Sequence, residues 1–275
     1  MPELPETETI ARDLDRAITG RRVTEVDVTR PDVLREGSPV DFGARATGRA
    51  FVRAWRRAKL VVLDLDSDDR IVVQPRFTGA LLLSRGPLPE HEAPYSTVRF
   101  RLDDGRDLHY RDIRRLGTVA LMSPARFAEY SATLGIEPLD PAFTASHLSG
   151  IVRGSRQAVK KVLMDQRVLV GVGNIYANEA CWRAGVDPSR AARSITAEEA
   201  VALHAGIVGV LTDSIAARGT SFRDYRDASG GRGDFERSLA AYGRGGEPCL
   251  RCGARLVETH AIDGRSTVLC ARCQK

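Results

Sequence analysis

Four cysteines in two closely spaced pairs lie within the last 27 residues and restrict the fold of this chain more than any other feature. Cys249 and Cys252 form the first pair, Cys270 and Cys273 form the second, and 17 residues separate the two pairs. This spacing is typical of a four-cysteine zinc site, in which two tight turns supply the tetrahedral thiolate ligands that Zn²⁺ prefers. Because four protein ligands leave no open coordination position, the sequence predicts one structural zinc ion in a β-hairpin. Two disulfides are the alternative.

The composition is that of a globular protein with room for two domains. The 275 residues are 43% hydrophobic and 28% charged, values that exclude disordered, collagen-like and coiled-coil chains. The sequence has no run of about 18 apolar residues, and its acidic start does not have the pattern of a signal peptide. We therefore expect a soluble protein with no membrane partner. The net charge of +5 favours polyanionic partners without proving one.

The order of the hydrophobic patterns predicts an α+β fold in three parts. Apolar residues at spacing four, Ile10, Leu14 and Ile18, predict an N-terminal helix. Short β-branched segments follow, and the alternation over 98–102 before an Asp-Gly turn predicts a hairpin within a β-sandwich. Helical patterns then dominate as far as residue 240. We place a β-sandwich domain at 1–135, a helical domain at 145–240 and a zinc finger at 241–275.

Pro2 is a candidate nucleophile. Removal of Met1 would leave a secondary amine, and an α-amino group has an ordinary pKa of about 8, well below that of lysine. Such an amine can attack an electrophilic carbon and form an iminium, as lysines do in Schiff-base enzymes. Glu3 and Glu6 lie beside it, and a carboxyl group held protonated by burial can serve as a general acid. The alternative is an ordinary helix start with acidic residues in its first turn.

Six segments of the chain, in the right order, resemble the formamidopyrimidine-DNA glycosylase family. In the first half these are the N-terminus MPELPETET, a lysine-bearing hairpin in RRAKLVVLDL and an intercalation loop in YRDIRRLGTV. In the second half they are the helix–two-turns–helix element LMDQRVLVGVGNIYANEACWRAGVDP, the lesion-capping loop GTSFRDYRDASGGRGDF and the zinc finger. The resemblance implies a monomeric base-excision-repair glycosylase and AP lyase that removes oxidised purines, 8-oxoguanine and formamidopyrimidines, from double-stranded DNA.

The resemblance also implies the catalytic residues. Pro2 would attack C1′ of the damaged nucleotide, Glu3 would protonate the sugar-ring oxygen, and the iminium would permit β,δ-elimination of the two phosphates. Lys59 matches the family lysine that contacts phosphate near the lesion. Glu6 and Glu179 match supporting carboxylates, one in the N-terminal helix and one near the active site. This chemistry uses no redox cofactor and no catalytic metal.

The DNA-binding residues of the family map to several positions in the second half of the chain. Asn174 would bind phosphate from a helix start, where backbone donors favour anions. Arg265 in the zinc hairpin would hold the phosphate of the flipped nucleotide, a role that suits a bidentate guanidinium. Lys160 and Tyr242 would add contacts with the DNA backbone. A solvated helix face fits Lys160 equally well, and a packing role fits Tyr242.

The residues expected to fill the gap left by the flipped base depart from the family pattern. Phe77 stands where the family has methionine, and Leu116 stands where it has phenylalanine. An aromatic side chain can also insert and stack, so we expect the void-filling role to be kept. Arg114 is retained and would pair with the orphaned base, preferring cytosine. Gln74 replaces a phosphate-binding histidine and can donate a hydrogen bond without carrying charge.

Two other functions fit parts of the sequence. An endonuclease VIII-like glycosylase would use the same chemistry on oxidised pyrimidines, but Leu4 and the capping-loop segment favour the purine branch. A catalytically silent, zinc-containing DNA-binding protein would need no amine nucleophile, so the combination of Pro2, Glu3 and Lys59 argues against it. The family resemblance also predicts a cytoplasmic protein, associated with the nucleoid through DNA.

Overall fold

The computed structural model describes residues 2–222 and 225–275. Three residues named in the sequence analysis lie outside this part of the chain. Met1 is one of them, and its removal is the condition for a nucleophilic Pro2. Arg223 and Asp224 are the others, and both belong to the segment that resembles a lesion-capping loop.

Residue contacts divide the chain into two compact units. The first comprises Met1–Ala132 with Ala217–Glu236, and the second comprises Thr133–Ala216 with Arg237–Lys275. The sequence-based boundaries put Ala217–Glu236 in the helical domain because it follows the last long helix. In the structure this segment joins the first unit, and its hydrogen bonds with the N-terminal helix are the physical reason.

The first unit is a β-sandwich with three α-helices among its described residues. Its elements are α1 (Leu4–Ile18), β1 (Val23–Val28), α2 (Pro39–Ala46), β2 (Phe51–Arg57), β3 (Leu60–Leu65), β4 (Arg70–Gln74), β5 (Gly79–Arg85), β6 (Ser96–Leu102), β7 (Arg106–Asp112), β8 (Thr118–Met122) and α3 (Pro124–Ala132). Two four-stranded antiparallel sheets have the orders β1-β6-β7-β5 and β2-β3-β4-β8. Both sheets contribute to one hydrophobic core, so the predicted sandwich is confirmed.

Helix α1 and the β6–β7 hairpin follow directly from the sequence pattern. Ile10, Leu14 and Ile18 are fully buried in the core, as their spacing of four requires. Truncating such a leucine to alanine typically costs about 2–5 kcal/mol. In the hairpin Phe100 pairs with Leu108, and the alternating arginines stay on the other face of the sheet.

The second unit is mainly helical and ends in the zinc hairpin. Its elements are α4 (Ala145–Arg153), α5 (Val159–Leu163), α6 (Asn174–Ala184), α7 (Ala197–Ala216), β9 (Val257–Thr259) and β10 (Thr267–Leu269). Helix α7 is long and apolar enough to cross a membrane by length and composition alone. A core helix of a globular protein meets the same criterion, and Leu203, Ile207 and Leu211 of α7 are fully buried inside this unit. The expected helical region and zinc hairpin are confirmed.

Candidate functional site

The start of α1 brings the candidate nucleophile and two carboxyl groups together. Pro2 and Glu3 are buried, and Glu3 is the N-cap residue of the helix. Glu3 and Glu6 form a reciprocal capping box, in which the Glu3 amide donates to Glu6 Oε2 at 2.8 Å. This box fixes the backbone next to Pro2, so the proline and the Glu3 carboxylate occupy defined positions at one helix end.

Glu6 also binds the loop Ala217–Glu236. Its side chain is 1% exposed, and its Oε1 accepts a hydrogen bond from the Thr220 amide at 2.8 Å. A Cβ atom on Gly219 would lie 2.9 Å from the same carboxylate oxygen, and the φ of Gly219 is +86°. Only glycine combines this close approach with this conformation. One buried carboxylate therefore connects the backbone beside Pro2 with the capping-loop segment.

Arg218 provides a second anchor for this loop. Its guanidinium donates to Asp13 of α1 at 2.5 Å and to Asp227 at 2.6 Å. Asp227 also accepts from the amides of Ser229 and Gly231 at 3.0 and 2.7 Å. Burial alone favours the neutral acid, but the hydrogen bonds from Arg218, Ser229 and Gly231 outweigh it and lower the pKa of Asp227. Ionised Asp227 is thus a part of the loop's attachment.

Asp227→Asn should lower the free energy of unfolding by about 1–3 kcal/mol at neutral pH, the usual range for a hydrogen bond to a charged group. Because folding lowers the pKa of Asp227, its contribution is full well above its ordinary value of 3.8. The contribution is lost as the pH falls through that value towards the lower pKa of the folded state. Urea unfolding of both proteins at about pH 7, 5 and 3 should therefore show a gap that is the same at pH 7 and 5 and narrower at pH 3.

Asp213→Asn is the matched control for this prediction, because Asp213 pairs with Arg183 at 2.7 Å but is 57% exposed. An exposed pair contributes little to stability, so this variant should unfold nearly as the unmodified protein does. Equal losses of stability in the two variants, or a gap for Asp227→Asn that does not change with pH, would contradict the role assigned to Asp227.

Lys59 and Gln74 lie at the same end of one sheet. Lys59 is in the turn between β2 and β3, and Gln74 is the last residue of β4. Val61 pairs with Val73, so the antiparallel register brings the β2–β3 turn and the last residue of β4 to the same end of the sheet. Both side chains are partly buried. Two hydrogen-bond donors, one of them charged, therefore lie at the same end of this sheet.

Phe77 and Leu116, the expected wedge residues, are exposed at the tips of two loops. Phe77 follows β4 and is 46% exposed, while Leu116 follows β7 and is 40% exposed. The Arg114 guanidinium carbon lies 5.3 Å from the centre of the Phe77 ring, within the range of a cation–π contact. Both side chains therefore lie outside the core, where a binding partner can reach them.

Asn174 is the first residue of α6 in the second unit. Gly173 occupies the N-cap position, and Asn174 Oδ1 is buried without a hydrogen-bond partner in the described part of the chain. Backbone N–H groups in the first turn of an 11-residue helix favour an anion. One turn later, Asn178 donates to the Asn174 carbonyl at 2.6 Å. The arrangement fits an anion such as phosphate at this helix start.

Lys160 and Asn178 attach the zinc hairpin to the helices of the second unit. Lys160 is fully buried, and its Nζ donates to the Ser266 carbonyl and to Thr267 Oγ1, both at 2.7 Å. Asn178 Oδ1 accepts a backbone amide of β10 at 2.8 Å. Arg265 is exposed and directly precedes this stretch. From the sequence, Lys160 could either contact the DNA backbone or lie on a solvated helix face. The structure instead places its ammonium group inside the protein.

Lys160→Met should lower the free energy of unfolding of the second unit by about 1–3 kcal/mol, because the buried Thr267 hydroxyl and the partly buried Ser266 carbonyl lose this charged donor. Lys161→Met is the matched control, since Lys161 is 41% exposed and bonds the exposed Asp263 carboxylate at 2.8 Å. Thermal unfolding of the zinc-loaded proteins should therefore separate the two variants. The assignment is wrong if both variants unfold at the same temperature.

Both carboxylate oxygens of Glu179 bind the segment that precedes the zinc hairpin. Oε2 accepts from the Ala240 amide at 2.9 Å, and Oε1 accepts from the amides of Ala241 and Tyr242 at 2.8 Å each. Glu179 is 1% exposed, and burial raises its pKa although the three amides favour the ionised form. Within its own unit Glu179 thus fixes the backbone at Tyr242.

The four cysteines of the hairpin converge on one point. Their Sγ atoms all lie within 4.8 Å of one another, and those of Cys252 and Cys270 are 3.6 Å apart. Four thiolates at Zn–S distances of about 2.3 Å fit this spacing in a tetrahedron. All five cysteines of the chain, each among the described residues, are free of disulfides. The fifth, Cys181, is fully buried, and burial raises the pKa of its thiol to about 12. The donor set therefore fits zinc and not the disulfide alternative.

Several polar residues that hold these groups in place escaped the sequence analysis. Most of them have a partner between 34 and 205 residues away in the chain, which no local pattern marks, and Asp227 is held by Arg218, nine residues before it in an irregular loop. Position is the one signal available: Asn178 lies one helical turn after Asn174, and Arg218 immediately precedes the segment that resembles the capping loop. The residues missed are Asp13, Asp112, Asn178, Arg218 and Asp227.

Three family models match successive parts of the chain. The formamidopyrimidine-DNA glycosylase N-terminal domain matches residues 1–119, and the formamidopyrimidine-DNA glycosylase H2TH domain matches 134–226. The zinc finger found in FPG and IleRS matches 246–275. A β-sandwich that begins at a buried proline, an H2TH domain and a zinc finger together define a DNA glycosylase of base-excision repair with AP lyase activity.

Relatives of the same family match the whole chain. Formamidopyrimidine-DNA glycosylase from Desulfitobacterium hafniense is 40% identical over 277 residues, with 100% of both chains covered. The enzyme from Moorella thermoacetica is 42% identical and covers 93% of each chain. The chain belongs to the formamidopyrimidine-DNA glycosylase family.

Solved structures show the same fold. MutM (Fpg) from Thermus thermophilus superimposes with a TM-score of 0.88 at 34% identity, covering 99% of this chain and 98% of that one. Wild-type Lactococcus lactis Fpg in complex with N7-benzyl-Fapy-dG DNA gives a TM-score of 0.92 at 28% identity over the full length of both chains. The Lactococcus enzyme with DNA containing an abasic site gives 0.91 at 28% identity, with 99% of each chain covered.

Proposed function

We propose that this chain removes oxidised purines, 8-oxoguanine and formamidopyrimidines, from duplex DNA and then cleaves the strand at the resulting abasic site. The observation that carries the proposal is the buried Pro2–Glu3 start of α1, which Glu6 caps, in a chain of this family. The substrates follow from the family and from the Lactococcus complexes with Fapy-dG and abasic-site DNA. Such a damaged nucleotide must leave the stack before its sugar can be attacked.

In the proposed reaction the Pro2 nitrogen donates its lone pair to C1′ of the flipped nucleotide. The bond between C1′ and the base breaks, and the base leaves with the electron pair and takes up a proton. Glu3 protonates the sugar-ring oxygen, which opens the ring and leaves an iminium between Pro2 and C1′. Loss of the C2′ proton expels the 3′ phosphate, and δ-elimination then releases the 5′ phosphate. Water hydrolyses the remaining iminium and frees the amine.

We assign the contacts with DNA to residues from both units. Lys59, in the catalytic group, and Gln74 bind phosphates next to the lesion, and Asn174 binds another from its helix start. Arg265 holds the phosphate of the flipped nucleotide, and Tyr242 adds a backbone contact. Phe77 and Leu116 fill the vacated space, and Arg114 hydrogen-bonds the orphaned base. These assignments are supported by the exposure of the side chains at the loop tips and by the position of Lys59 and Gln74 at the same end of one sheet.

Three buried residues have positioning roles in this proposal. Glu6 holds the amine and the capping loop, Glu179 holds the backbone at Tyr242, and Lys160 holds the hairpin that carries Arg265. A single structural zinc ion, bound by the four cysteines, completes the hairpin. We assign residues 1–135 to the catalytic domain, 145–240 to the helical DNA-binding domain and 241–275 to the zinc finger, with the loop 217–236 of the helical range attached to the first unit. The enzyme acts as a monomer on cytoplasmic, nucleoid-associated DNA.

Borohydride trapping tests this function directly. The unmodified protein is incubated with a duplex that contains 8-oxoguanine opposite cytosine, in the presence of sodium borohydride, which reduces an iminium to a stable cross-link. The expected result is a covalent complex in which peptide mapping locates the DNA on Pro2. A cross-link at a lysine, or none on either the 8-oxoguanine duplex or an abasic-site duplex, would overturn the proposed mechanism. Trapping on the abasic site alone would overturn the lesion assignment.

A further inference from the structure

The two loops that carry the wedge residues meet at one buried carboxylate. Asp112 is the last residue of β7 and is 1% exposed. The loop that follows it contains Arg114 and Leu116, and the loop from β4 to β5 contains Phe77 and Thr78. Gly79 of β5 pairs with Asp112 across the sheet, so the two loops leave the β-sandwich side by side.

Asp112 accepts hydrogen bonds from both loops. Its Oδ1 accepts from Thr78 Oγ1 at 2.5 Å and from the Arg114 amide at 3.2 Å. Its Oδ2 accepts from the Gly117 amide at 2.8 Å and from the Tyr110 hydroxyl at 3.2 Å. Thr78 Oγ1 in turn accepts from the Arg114 amide at 3.0 Å. Four donors, three of them from the loops, therefore surround one charge that water does not reach.

The backbone of the two loops is packed as tightly as this network suggests. A Cβ atom on Gly117 would lie 1.9 Å from the Tyr110 hydroxyl, 2.6 Å from the Gln74 carbonyl and 2.8 Å from the Pro75 carbonyl. A side chain at position 117 would thus push the loops apart. At the tips, Arg76 and Arg115 both have a φ of +51°, a left-handed conformation that costs free energy unless the surroundings impose it. The shared anchor supplies that constraint.

We propose that Asp112, acting through Thr78, is a positioning residue that joins the Phe77 loop and the Arg114–Leu116 loop into one rigid wedge. The wedge enters the duplex as a unit, because moving either loop alone would leave the Asp112 charge short of donors in a buried site. The side chains that replace the flipped base and contact its orphaned partner then arrive with fixed spacing. This inference rests on the proposed function for the identity of the wedge and adds the residue that holds it.

The role of Asp112 explains why the side chains of the wedge can differ from the family pattern. The anchor uses the Thr78 hydroxyl, two backbone amides and the Tyr110 hydroxyl, and none of these belongs to the side chains of Phe77 or Leu116. Exchanging an aromatic for an aliphatic side chain at either tip therefore leaves the anchor intact. The buried network around Asp112 sets the positions of the two loops, and the exposed side chains at their tips determine how the wedge stacks on the neighbouring bases.

Thr78→Val tests the anchor, because valine keeps the shape of threonine and removes only the hydroxyl that joins the loops. Thr78→Ser is the matched control that keeps the hydroxyl, and Phe77→Ala is the positive control that removes part of the wedge. Each protein is assayed under single-turnover conditions on an abasic-site duplex and on the same abasic strand without its complement. Only the duplex has an opposite strand for the wedge to enter.

We expect Thr78→Val to slow duplex cleavage about tenfold, the effect of one hydrogen bond to a charged group. Cleavage of the single strand should stay within about twofold, and Thr78→Ser should match the unmodified protein on both substrates. A 2-aminopurine placed opposite the abasic site should become brighter on binding the unmodified protein, because the wedge unstacks it, and less so with Thr78→Val. Asp112→Asn should show the same selectivity for the duplex.

Equal slowing of both substrates by Thr78→Val would overturn the inference, since it would indicate damage to the amine site or to the fold as a whole. No slowing of either substrate would also overturn it. The proposed function fails separately, if the unmodified protein cleaves neither substrate. If the unmodified protein cleaves at a normal rate and Thr78→Val has no effect, the role inferred for Asp112 is wrong and the proposed glycosylase function is unaffected.

Discussion

Pro2→Gly is expected to abolish strand cleavage, with a loss of at least about a thousandfold in the single-turnover rate, while binding to an abasic-site duplex changes little. The loss is large because the nucleophile makes the covalent bond on which every later step depends. A glycine at position 2 also offers an amine, but a primary and flexible one. The proline ring holds the nitrogen in one orientation at the start of α1, and such orientation accounts for much of the advantage of a bound nucleophile.

Pro5→Ala is the matched control for Pro2→Gly, because it removes a proline from the first turn of α1, three residues after Pro2, and leaves the amine unchanged. Alanine is the best helix former, so the control should fold and cleave DNA within a fewfold of the unmodified rate. Single-turnover cleavage and fluorescence anisotropy on one labelled duplex measure both properties. Full cleavage by Pro2→Gly would contradict the requirement for the proline ring at the nucleophile, and a parallel loss of binding would show that the substitution disturbs more than chemistry.

The parts of the fold that could be predicted from sequence are those set by neighbouring residues. The alternation of apolar and charged residues over 98–102 predicted the β6–β7 hairpin, because side chains on a strand repeat every 2 residues. The spacing of Ile10, Leu14 and Ile18 predicted α1, because a helix repeats every 3.6 residues. The cysteine pairs predicted the zinc site for the same reason. Each pair is a local turn with its own signature, and only the distance between the two pairs involves the longer chain.

The resemblance pointed to Glu6 and Glu179 as supporting carboxylates, but the contacts of the supporting residues could not be predicted, because they involve partners far along the chain. From the sequence, Lys160 is one of two neighbouring lysines on a short helix, and its contact with Ser266, 106 residues later, shows it to be buried. Glu179 likewise reads as a helical carboxylate until the amides of 240–242 surround it. Periodicity assigns a face to such residues. It does not show whether a charged group on that face meets water, DNA or a buried backbone.

The loop 217–236 illustrates the same limit at the level of a whole segment. Its composition, rich in glycine and arginine, predicts an irregular connection after a long helix. Its membership of the first unit comes from specific attachments, among them those through Glu6, through Asp13 and through the bond from the Leu83 amide to the Ala228 carbonyl at 3.0 Å. Two of these attachments reach α1, so the segment expected to cap the lesion is connected to the helix that begins at the nucleophile.

Loss of the zinc ion is expected to unfold the hairpin and to lower the affinity for duplex DNA about tenfold to a hundredfold. Strands β9 and β10 have three residues each, and a two-stranded hairpin of this size is not stable alone in water. Its small core consists of Leu256, Val268 and three other buried residues, two of which are the ligands Cys249 and Cys270. The metal therefore supplies most of the folding free energy of the hairpin. Arg265 then loses its fixed position, and with it one charge-assisted contact with phosphate.

Cys270→Ser tests this expectation, and Cys181→Ala is the matched control, since Cys181 is a buried cysteine of the same unit outside the cluster. Metal analysis should find zinc in the control and little or none in Cys270→Ser, and anisotropy should show the loss of affinity in Cys270→Ser alone. The first unit has a separate core with no cysteine ligand, so its unfolding transition should persist in both variants. Full DNA affinity in a zinc-free protein would mean that Lys160 and Asn178 hold Arg265 without the metal. Zinc would then serve the stability of the hairpin and take no part in recognition.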